Sequence, residues 1–183
     1  METLHEIYEH KCNETSDINE HLPVLKEYAS KCNHVTEFGV RYVVSTYALM
    51  YGKPKVLKSY DIQAIEEHGV DRNTLIQLGN ENGVQFEFII GDTLNIEIDN
   101  TELLFIDTWH TYDQVKRELE LHANKVSKYL VFHDTTTYGV TGEGGHPIGL
   151  WPAIEEFLNE NTNWVIEKRL ENNNGLTILK NNN

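Results

Sequence analysis

Two short apolar runs of this sequence each end in side chains that are suited to chemistry. Residues 103–106 are followed by Asp107 and, three positions later, by His110, while residues 129–132 are followed by His133 and Asp134. Two carboxylates held close together repel each other unless a proton or a cation lies between them. An imidazole titrates near neutral pH and suits proton transfer. These four residues therefore predict a metal site or an acid–base site.

The spacing of parallel strands explains how these acids would meet. Neighbouring parallel strands lie about 4.8 Å apart, so Asp107 and Asp134 point into one space if their strands are neighbours. Mg²⁺ binds few protein carboxylates and keeps oxygens of water or substrate, and a bound cation lowers the pKa of a hydroxyl. His110 would then accept the hydroxyl proton as general base.

Other roles for these residues are open at this stage. Either acid alone is also suited to capping a helix, and Asp113 is a candidate cap for the helix that follows. His133 fits ligation and core packing equally well. Asp107, His110 and His133 together also match the two histidines and one carboxylate of a non-haem iron oxygenase. The doublet His133-Asp134 occurs in phosphohydrolases, but there it lies on helices and here it ends a strand.

The elements that must position these residues alternate along the chain. Apolar alternation predicts strands at 34–40, 55–62, 84–92, 102–107 and 128–134, and helical periodicity predicts helices at 16–32, 43–52, 71–83, 113–126 and 149–161. Residues 163–170 and 175–180 predict a hairpin, because the intervening Glu-Asn-Asn-Asn-Gly favours a tight turn. This order predicts a parallel α/β sheet with helices on both faces and one antiparallel strand at the end. Ligands of such sheets bind at the carboxyl ends of the strands.

A second group of residues favours a nucleotide-like ligand. Glu37 and Gly39 end the first predicted strand, and Ser45 lies in the helix that follows. A glycine turn before a helix N-terminus favours the close approach of a ligand to the backbone. Asp61 follows about 20 residues after the glycine, where dinucleotide-binding folds place an acid on ribose hydroxyls. The alternative is that Glu37 caps the turn and Gly39 only permits packing.

A long glycine-rich segment, residues 135–151, follows Asp134 directly. Long loops at a strand rim bind or cover ligands, and we expect Tyr138, Glu143 and His146 to contact the substrate. Trp109 and Tyr112 are expected to form part of the substrate wall, with ordinary packing as the alternative.

Composition excludes several classes of protein. The chain has 183 residues and a formal net charge of −14, which disfavours a nucleic acid partner. Its apolar runs are too short to span a membrane, and its N-terminus has no features of a signal peptide, so we expect a cytoplasmic protein. The two cysteines, Cys12 and Cys32, do not suffice for a disulfide framework.

These motifs, in this order, resemble those of class I S-adenosylmethionine-dependent methyltransferases. The segments Glu-Phe-Gly-Val-Arg-Tyr-Val-Val-Ser-Thr, Ser-Tyr-Asp-Ile, Ile-Gly-Asp-Thr, Phe-Ile-Asp-Thr-Trp-His-Thr-Tyr-Asp-Gln-Val and Val-Phe-His-Asp-Thr carry the resemblance, over about residues 20–180. They are most similar to the metal-dependent sugar O-methyltransferases and the related cephalosporin-hydroxylase-like group. The Asp-x-x-His and the second strand-end acid are the more specific part.

The resemblance implies a single Rossmann-like domain, residues 1–183, with an N-terminal helical cap at 1–33 and a core at 34–183. It implies a seven-stranded sheet whose last strand is antiparallel. It also implies roles for particular residues: Glu37, Gly39 and Ser45 against the methionine part of the cofactor, Asp61 on the ribose, Asp92 and Thr93 near the adenine, Asp107, Asp134 and His133 on a divalent cation, His110 as base, and Trp109, Tyr112 and Tyr138 at the substrate. The sequence departs from the family pattern at Val43, where a second glycine is usual, and at His133, where an acid is usual.

The implied function is metal-dependent O-methylation. The implied cofactors are S-adenosyl-L-methionine and Mg²⁺ or Mn²⁺. The implied partner is a small acceptor, a sugar or a glycosylated metabolite, with no nucleic acid or membrane partner and with homo-oligomerisation left open. Two alternatives stand beside it: a non-haem iron oxygenase of the cephalosporin-hydroxylase type, and a cofactor-binding protein without catalytic activity.

Overall fold

The secondary structure alternates between strands and helices for most of the chain. A computed structural model describes residues 2–183. Six α-helices and seven strands occur in these bounds: α1 Leu4–Asn13, α2 Leu22–Ala29, β1 His34–Phe38, α3 Val44–Tyr51, β2 Val56–Asp61, α4 Arg72–Glu81, β3 Gln85–Ile90, β4 Thr101–Ile106, α5 Tyr112–His122, β5 Val126–His133, α6 Trp151–Glu160, β6 Trp164–Leu170 and β7 Leu176–Asn181.

The seven strands form one sheet in the order β3-β2-β1-β4-β5-β7-β6. The last strand, β7, pairs antiparallel with both β5 and β6, so it is inserted between them and does not form the edge. The predicted α/β fold with seven strands and an antiparallel last strand is therefore confirmed.

Two compact units divide the chain at the Thr93–Leu94 boundary. We refer to them as the first and the second unit. The predicted division into a helical cap at 1–33 and a core at 34–183 remains a prediction.

The first unit contains three parallel strands, with β2 paired to both β1 and β3. Val35, Phe38 and Leu57 are fully buried, as is typical of strands covered on both faces. The apolar centre of α3, residues 48–50, is also fully buried. Burial of this kind stabilises the unit by roughly 25 cal/mol for each Å² of apolar surface removed from water.

Helix α1 is a feature that the element-by-element prediction missed. Thr3 caps it, because the Thr3 hydroxyl accepts from the backbone N–H of Glu6 and the Glu6 carboxylate accepts from the backbone N–H of Thr3. This reciprocal arrangement is a capping box, and the Thr-x-x-Glu spacing was the sequence signal for it.

The second unit contains the remaining four strands. The β4 residues 103–105 are fully buried, and β4 pairs in parallel with β5. The predicted hairpin connects β6 and β7, and its turn places Asn173, Asn174 and Gly175 at positive φ. Asparagine and glycine adopt this conformation at little cost, which explains the composition of the turn.

None of the helices among residues 2–183 combines the length and the apolarity that crossing a membrane requires.

Candidate functional site

Asp107, His110 and Asp134 form a compact cluster in the second unit. Strands β4 and β5 pair in parallel with Ile106 opposite Phe132, so Asp107 and Asp134 leave neighbouring strand ends. One potential ligand atom from each of the three residues lies within 4.8 Å of the others, a spacing suited to holding a metal ion. The structure thus brings together residues that the sequence analysis grouped.

The imidazole of His110 bridges the two acids. Its Nε2 lies 3.1 Å from Asp107 Oδ1 and 3.0 Å from Asp134 Oδ2. Burial by itself would lower the pKa of His110, but hydrogen bonds and negative charge from the two aspartates outweigh it and raise the pKa to about 10. The ring is therefore charged at neutral pH when the two acids hold no other cation.

His133 also faces this cluster. It is 1% exposed, and its Nδ1 lies 3.3 Å from Asp107 Oδ1 and 3.6 Å from Asp134 Oδ2. Burial of Asp107 would raise the pKa of its carboxyl. The charge of His133 and the hydrogen bonds from both histidines instead hold that pKa below its usual range. All four residues therefore surround one polar centre.

The backbone conformation of Asp134 is unusual. Its φ is +59°, in the left-handed region that few residues other than glycine adopt, and such strain is concentrated at functional sites. Its Oδ1 is buried and has no hydrogen-bond partner within residues 2–183. No helix begins directly after Asp134, and Thr111 caps α5, so neither Asp134 nor Asp113 serves as the N-cap of the helix that follows it.

The glycine-rich segment after Asp134 is a turn-rich loop that is closed by its own backbone hydrogen bonds and contacts His110. Backbone hydrogen bonds join Gly149 to Val140 and Gly142 to His146, both at 2.8 Å. The backbone N–H of Glu143 donates to the carbonyl of His110 at 2.9 Å. Gly142 is required there, because an added Cβ would come within 2.9 Å of the carbonyl oxygen of Ile148 and of the Cβ of His146.

The three expected substrate residues differ in their surroundings. The ring of Tyr138 stacks on His110, with centroids 4.9 Å apart and an angle of 11° between the planes. Trp109 is 51% exposed and makes an edge contact with His146. The hydroxyl of Tyr112 is hydrogen-bonded to Glu156 of α6 and to Lys116, so it takes part in an ion-pair network of the two helices.

The first unit contains the residues predicted to bind the cofactor. Glu37 is fully buried, and its carboxylate accepts from the hydroxyls of Ser45 at 2.6 Å, Thr46 at 2.8 Å and Ser59 at 2.6 Å. These bonds tie the end of β1 to the first turn of α3 and to β2. Thr46 and Ser59 were missed by sequence reasoning; the signal for Ser59 was a polar residue in an otherwise buried strand, directly opposite Glu37 in the register.

The turn after β1 has the backbone expected for a close approach to a ligand. Gly39 has φ +82°, and Val43 has φ +57° at the N-terminus of α3. Val43 replaces the usual glycine of the family pattern, yet it keeps a glycine-like conformation. This is unfavourable by about 1–3 kcal/mol for a β-branched residue. The side chain of Val43 is 1% exposed, so its burial offsets this strain.

Asp61 lies at the end of β2 and faces the same turn. Its Oδ2 accepts from the backbone N–H groups of Val40 at 2.8 Å and Arg41 at 3.0 Å, and its Oδ1 accepts from Gln63 at 2.9 Å. Beyond β3, Asp92 is exposed and Thr93 is buried. Asp61, which was predicted to bind ribose, therefore fixes the turn between β1 and α3 through these hydrogen bonds.

Comparisons with known proteins identify the family and agree with the fold. The family model for rhamnosyl O-methyltransferase/CmcI matches residues 32–182. Among curated proteins, no sequence is significantly similar to the chain.

Several solved structures share the fold at low sequence identity. A structure described as a caffeoyl-CoA O-methyltransferase from Staphylococcus aureus has a TM-score of 0.67 and 13% identity, with 97% of each chain covered. An O-methyltransferase from Bacillus cereus in complex with SAH has a TM-score of 0.62 and 14% identity, covering 97% of this chain and 90% of that one. The SAH-bound methyltransferase PaMTH1 from Podospora anserina has a TM-score of 0.58 and 17% identity, covering 98% and 88%.

Together, the fold and the family match define an S-adenosylmethionine-dependent methyltransferase of class I. The chain belongs to the rhamnosyl O-methyltransferase/CmcI family and is an O-methyltransferase.

Proposed function

We propose that this enzyme uses a divalent cation to methylate a hydroxyl of a sugar-type acceptor. The observation that carries the proposal is the cluster of Asp107, His110 and Asp134, with ligand atoms within 4.8 Å of one another. The cluster follows two paired parallel strands, where ligands of α/β sheets bind.

The donor set fits a hard cation. Asp134 offers a buried oxygen without a hydrogen-bond partner among residues 2–183, and Asp107 offers a second carboxylate. Mg²⁺ and Mn²⁺ prefer such oxygens. His133 and His110 are both close enough to Asp107 to supply a further ligand. We assign this role to His133, because it is almost fully buried and precedes Asp134 directly.

His110 is then free to act on the proton. The hydrogen bonds and the negative charge of the two aspartates are what raise the pKa of His110. A cation bound by them would offset this charge, so that Nε2 could lose its proton and act as an acceptor. A divalent cation supplies charge that lowers the pKa of an acceptor hydroxyl. His110 would receive the hydroxyl proton at Nε2. The acceptor oxygen would take the methyl group of S-adenosylmethionine as the methyl–sulfur bond breaks, which would leave S-adenosylhomocysteine.

The residues of the first unit suit S-adenosylmethionine. Gly39 allows the backbone to approach the ligand, and Glu37 and Ser45 hold the β1–α3 turn. We assign the carboxylate of Asp61, which binds the same turn, to the ribose hydroxyls, because a carboxylate accepts from two adjacent hydroxyls. Asp92 and Thr93 follow the next strand, and we assign them to the adenine end.

The choice of a sugar acceptor has two supports. The family description names a rhamnosyl acceptor. In addition, the indole of Trp109 is half exposed beside His110, and an aromatic face of this kind packs on apolar C–H groups of a sugar ring. Tyr138 packs against His110, so we assign it to the wall behind the acceptor.

An acceptor assay tests the proposed function. The protein is incubated with S-adenosylmethionine, Mg²⁺ and a panel of rhamnosides and other glycosides, and release of S-adenosylhomocysteine is measured. We expect release that depends on both the acceptor and Mg²⁺ and that stops on chelation. Oxygen uptake with Fe²⁺ in place of methyl transfer would support an oxygenase, and cofactor binding without turnover on any acceptor would support a silent binding protein.

Replacing Asp61 by alanine should weaken binding of S-adenosylhomocysteine by about 30- to 150-fold. The loss of charge-assisted hydrogen bonds to ribose costs about 2–3 kcal/mol. Calorimetry measures the change. Asp17→Ala is the matched control, because Asp17 is paired with the Arg41 side chain of the same turn but lies outside the strand end. Equal affinities of the Asp61 and Asp17 variants for S-adenosylhomocysteine would show that Asp61 does not bind the cofactor.

A further inference from the structure

Glu143 is fastened to His110 by both its main chain and its side chain. Its backbone N–H donates to the carbonyl of His110 at 2.9 Å. Its Oε2 accepts from the Nδ1 of His110 at 2.9 Å and from the backbone N–H of His110 at 3.4 Å. Three contacts between two residues far apart in sequence indicate more than a chance surface pair.

The contact decides which ring nitrogen faces the two aspartates. A carboxylate of Glu143 only accepts hydrogen bonds, so the Nδ1 of His110 must carry a proton to bind it. The opposite nitrogen, Nε2, then points to Asp107 and Asp134. Glu143 binds Nδ1 at the opposite edge of the ring, so its carboxylate does not compete with Asp107 and Asp134 for Nε2.

The surroundings of Glu143 keep this arrangement in place. The loop that carries Glu143 is closed by the Gly142–His146 and Gly149–Val140 backbone hydrogen bonds. Tyr138, from the start of the same segment, stacks on the face of the His110 ring. The imidazole is therefore held at one edge and on one face by a single ordered segment.

We propose that Glu143 is a positioning residue that holds a proton on Nδ1 of His110 and so reserves Nε2 for the Asp107–Asp134 cluster. The consequence for catalysis rests on the proposed function, whereas the orientation of the ring does not. A partner that orients a functional histidine typically changes metal affinity or activity by about 10- to 100-fold.

Nuclear magnetic resonance of protein labelled with ¹⁵N-histidine tests the orientation directly. The signals of His110 are identified by their loss in His110→Ala. In the wild type we expect a downfield Nδ1 proton that is protected from exchange with water, with and without Mg²⁺. Glu143→Ala should lose this signal, and Glu143→Gln should keep it, because the amide oxygen of glutamine accepts the same bond. Glu160→Ala, which removes an exposed carboxylate of α6, is the control and should match the wild type.

The same samples separate the inference from the proposed function. A protected Nδ1 proton that persists in Glu143→Ala would overturn the positioning role, even if the variant melted at a lower temperature. A Mg²⁺ titration that leaves the Nε2 shift of His110 unchanged would count against the metal site and leave the Glu143 contact standing. In an acceptor assay, Glu143→Ala should lower kcat about 10- to 100-fold with the KM for S-adenosylmethionine unchanged, and Glu143→Gln should retain most of the rate.

Discussion

Replacing Asp107 and Asp134 together by asparagine should reduce methyl transfer by at least about a thousandfold. The two carboxylates follow neighbouring strands, contact the same imidazole nitrogen, and include a buried oxygen without a hydrogen-bond partner in residues 2–183. If they hold the cation that activates the acceptor hydroxyl, their loss removes several kcal/mol of charge stabilisation, and each 1.4 kcal/mol is tenfold in rate. Release of S-adenosylhomocysteine in an acceptor assay measures the effect.

Thermal melting gives an independent measure of the same change. A cation that binds only the native state raises the melting temperature, so Mg²⁺ or Mn²⁺ should stabilise the wild type and leave the double variant unchanged. Asp113→Asn is the matched control, because Asp113 is an exposed acid of α5 that lies outside the cluster. Metal-dependent turnover that survives in the double variant would show that the cation binds elsewhere.

Replacing His110 by alanine should lower turnover by about 10²- to 10⁴-fold, the range expected for a lost acid–base group. As general base, His110 acts on the proton of the acceptor, so the affinity for S-adenosylhomocysteine should stay near the wild-type value. The wild-type rate should fall as the pH is lowered, because protonated imidazole accepts no further proton. Steady-state rates, cofactor affinity and metal content are measured on the same preparation.

Metal content decides between two roles for His110. Loss of metal together with turnover would identify His110 as a ligand, which its place in the cluster also permits. Unchanged turnover at neutral pH would end the general-base proposal. His10→Ala, a change at an exposed histidine of α1, controls for removal of an imidazole as such.

Local patterns were sufficient for the framework of the protein. The apolar run at 103–106 predicts a strand that ends beside Asp107, and β4 ends at Ile106. The alternation of strands and helices predicts parallel pairing, and parallel pairing brings Asp107 and Asp134 to neighbouring strand ends. Such predictions succeed because strand length, apolarity and direction depend on short segments and on general rules of sheet connection.

The sequence also determined the position of one turn with an unusual backbone. The Glu-Asn-Asn-Asn-Gly segment predicts a tight turn, and the structure has the turn with positive φ at Asn173, Asn174 and Gly175. The family pattern marked Val43 as a departure from glycine, but only the structure shows that its backbone keeps the glycine-like φ of +57°. The valine side chain is almost fully buried, and this burial offsets the strain of its backbone.

Tertiary structure alone decided which polar groups pair. Glu37 was predicted to contact the cofactor, and the structure shows its carboxylate bound to Ser45, Thr46 and Ser59; a role beside the cofactor stays a prediction. Residues 135–151 were predicted as a loop, and the structure has turns there. The Glu143–His110 contact follows from how this loop folds back on the segment between β4 and α5. Hydrogen bonds of this kind need atoms placed to within a few tenths of an ångström, and that precision comes from the packing of the whole unit.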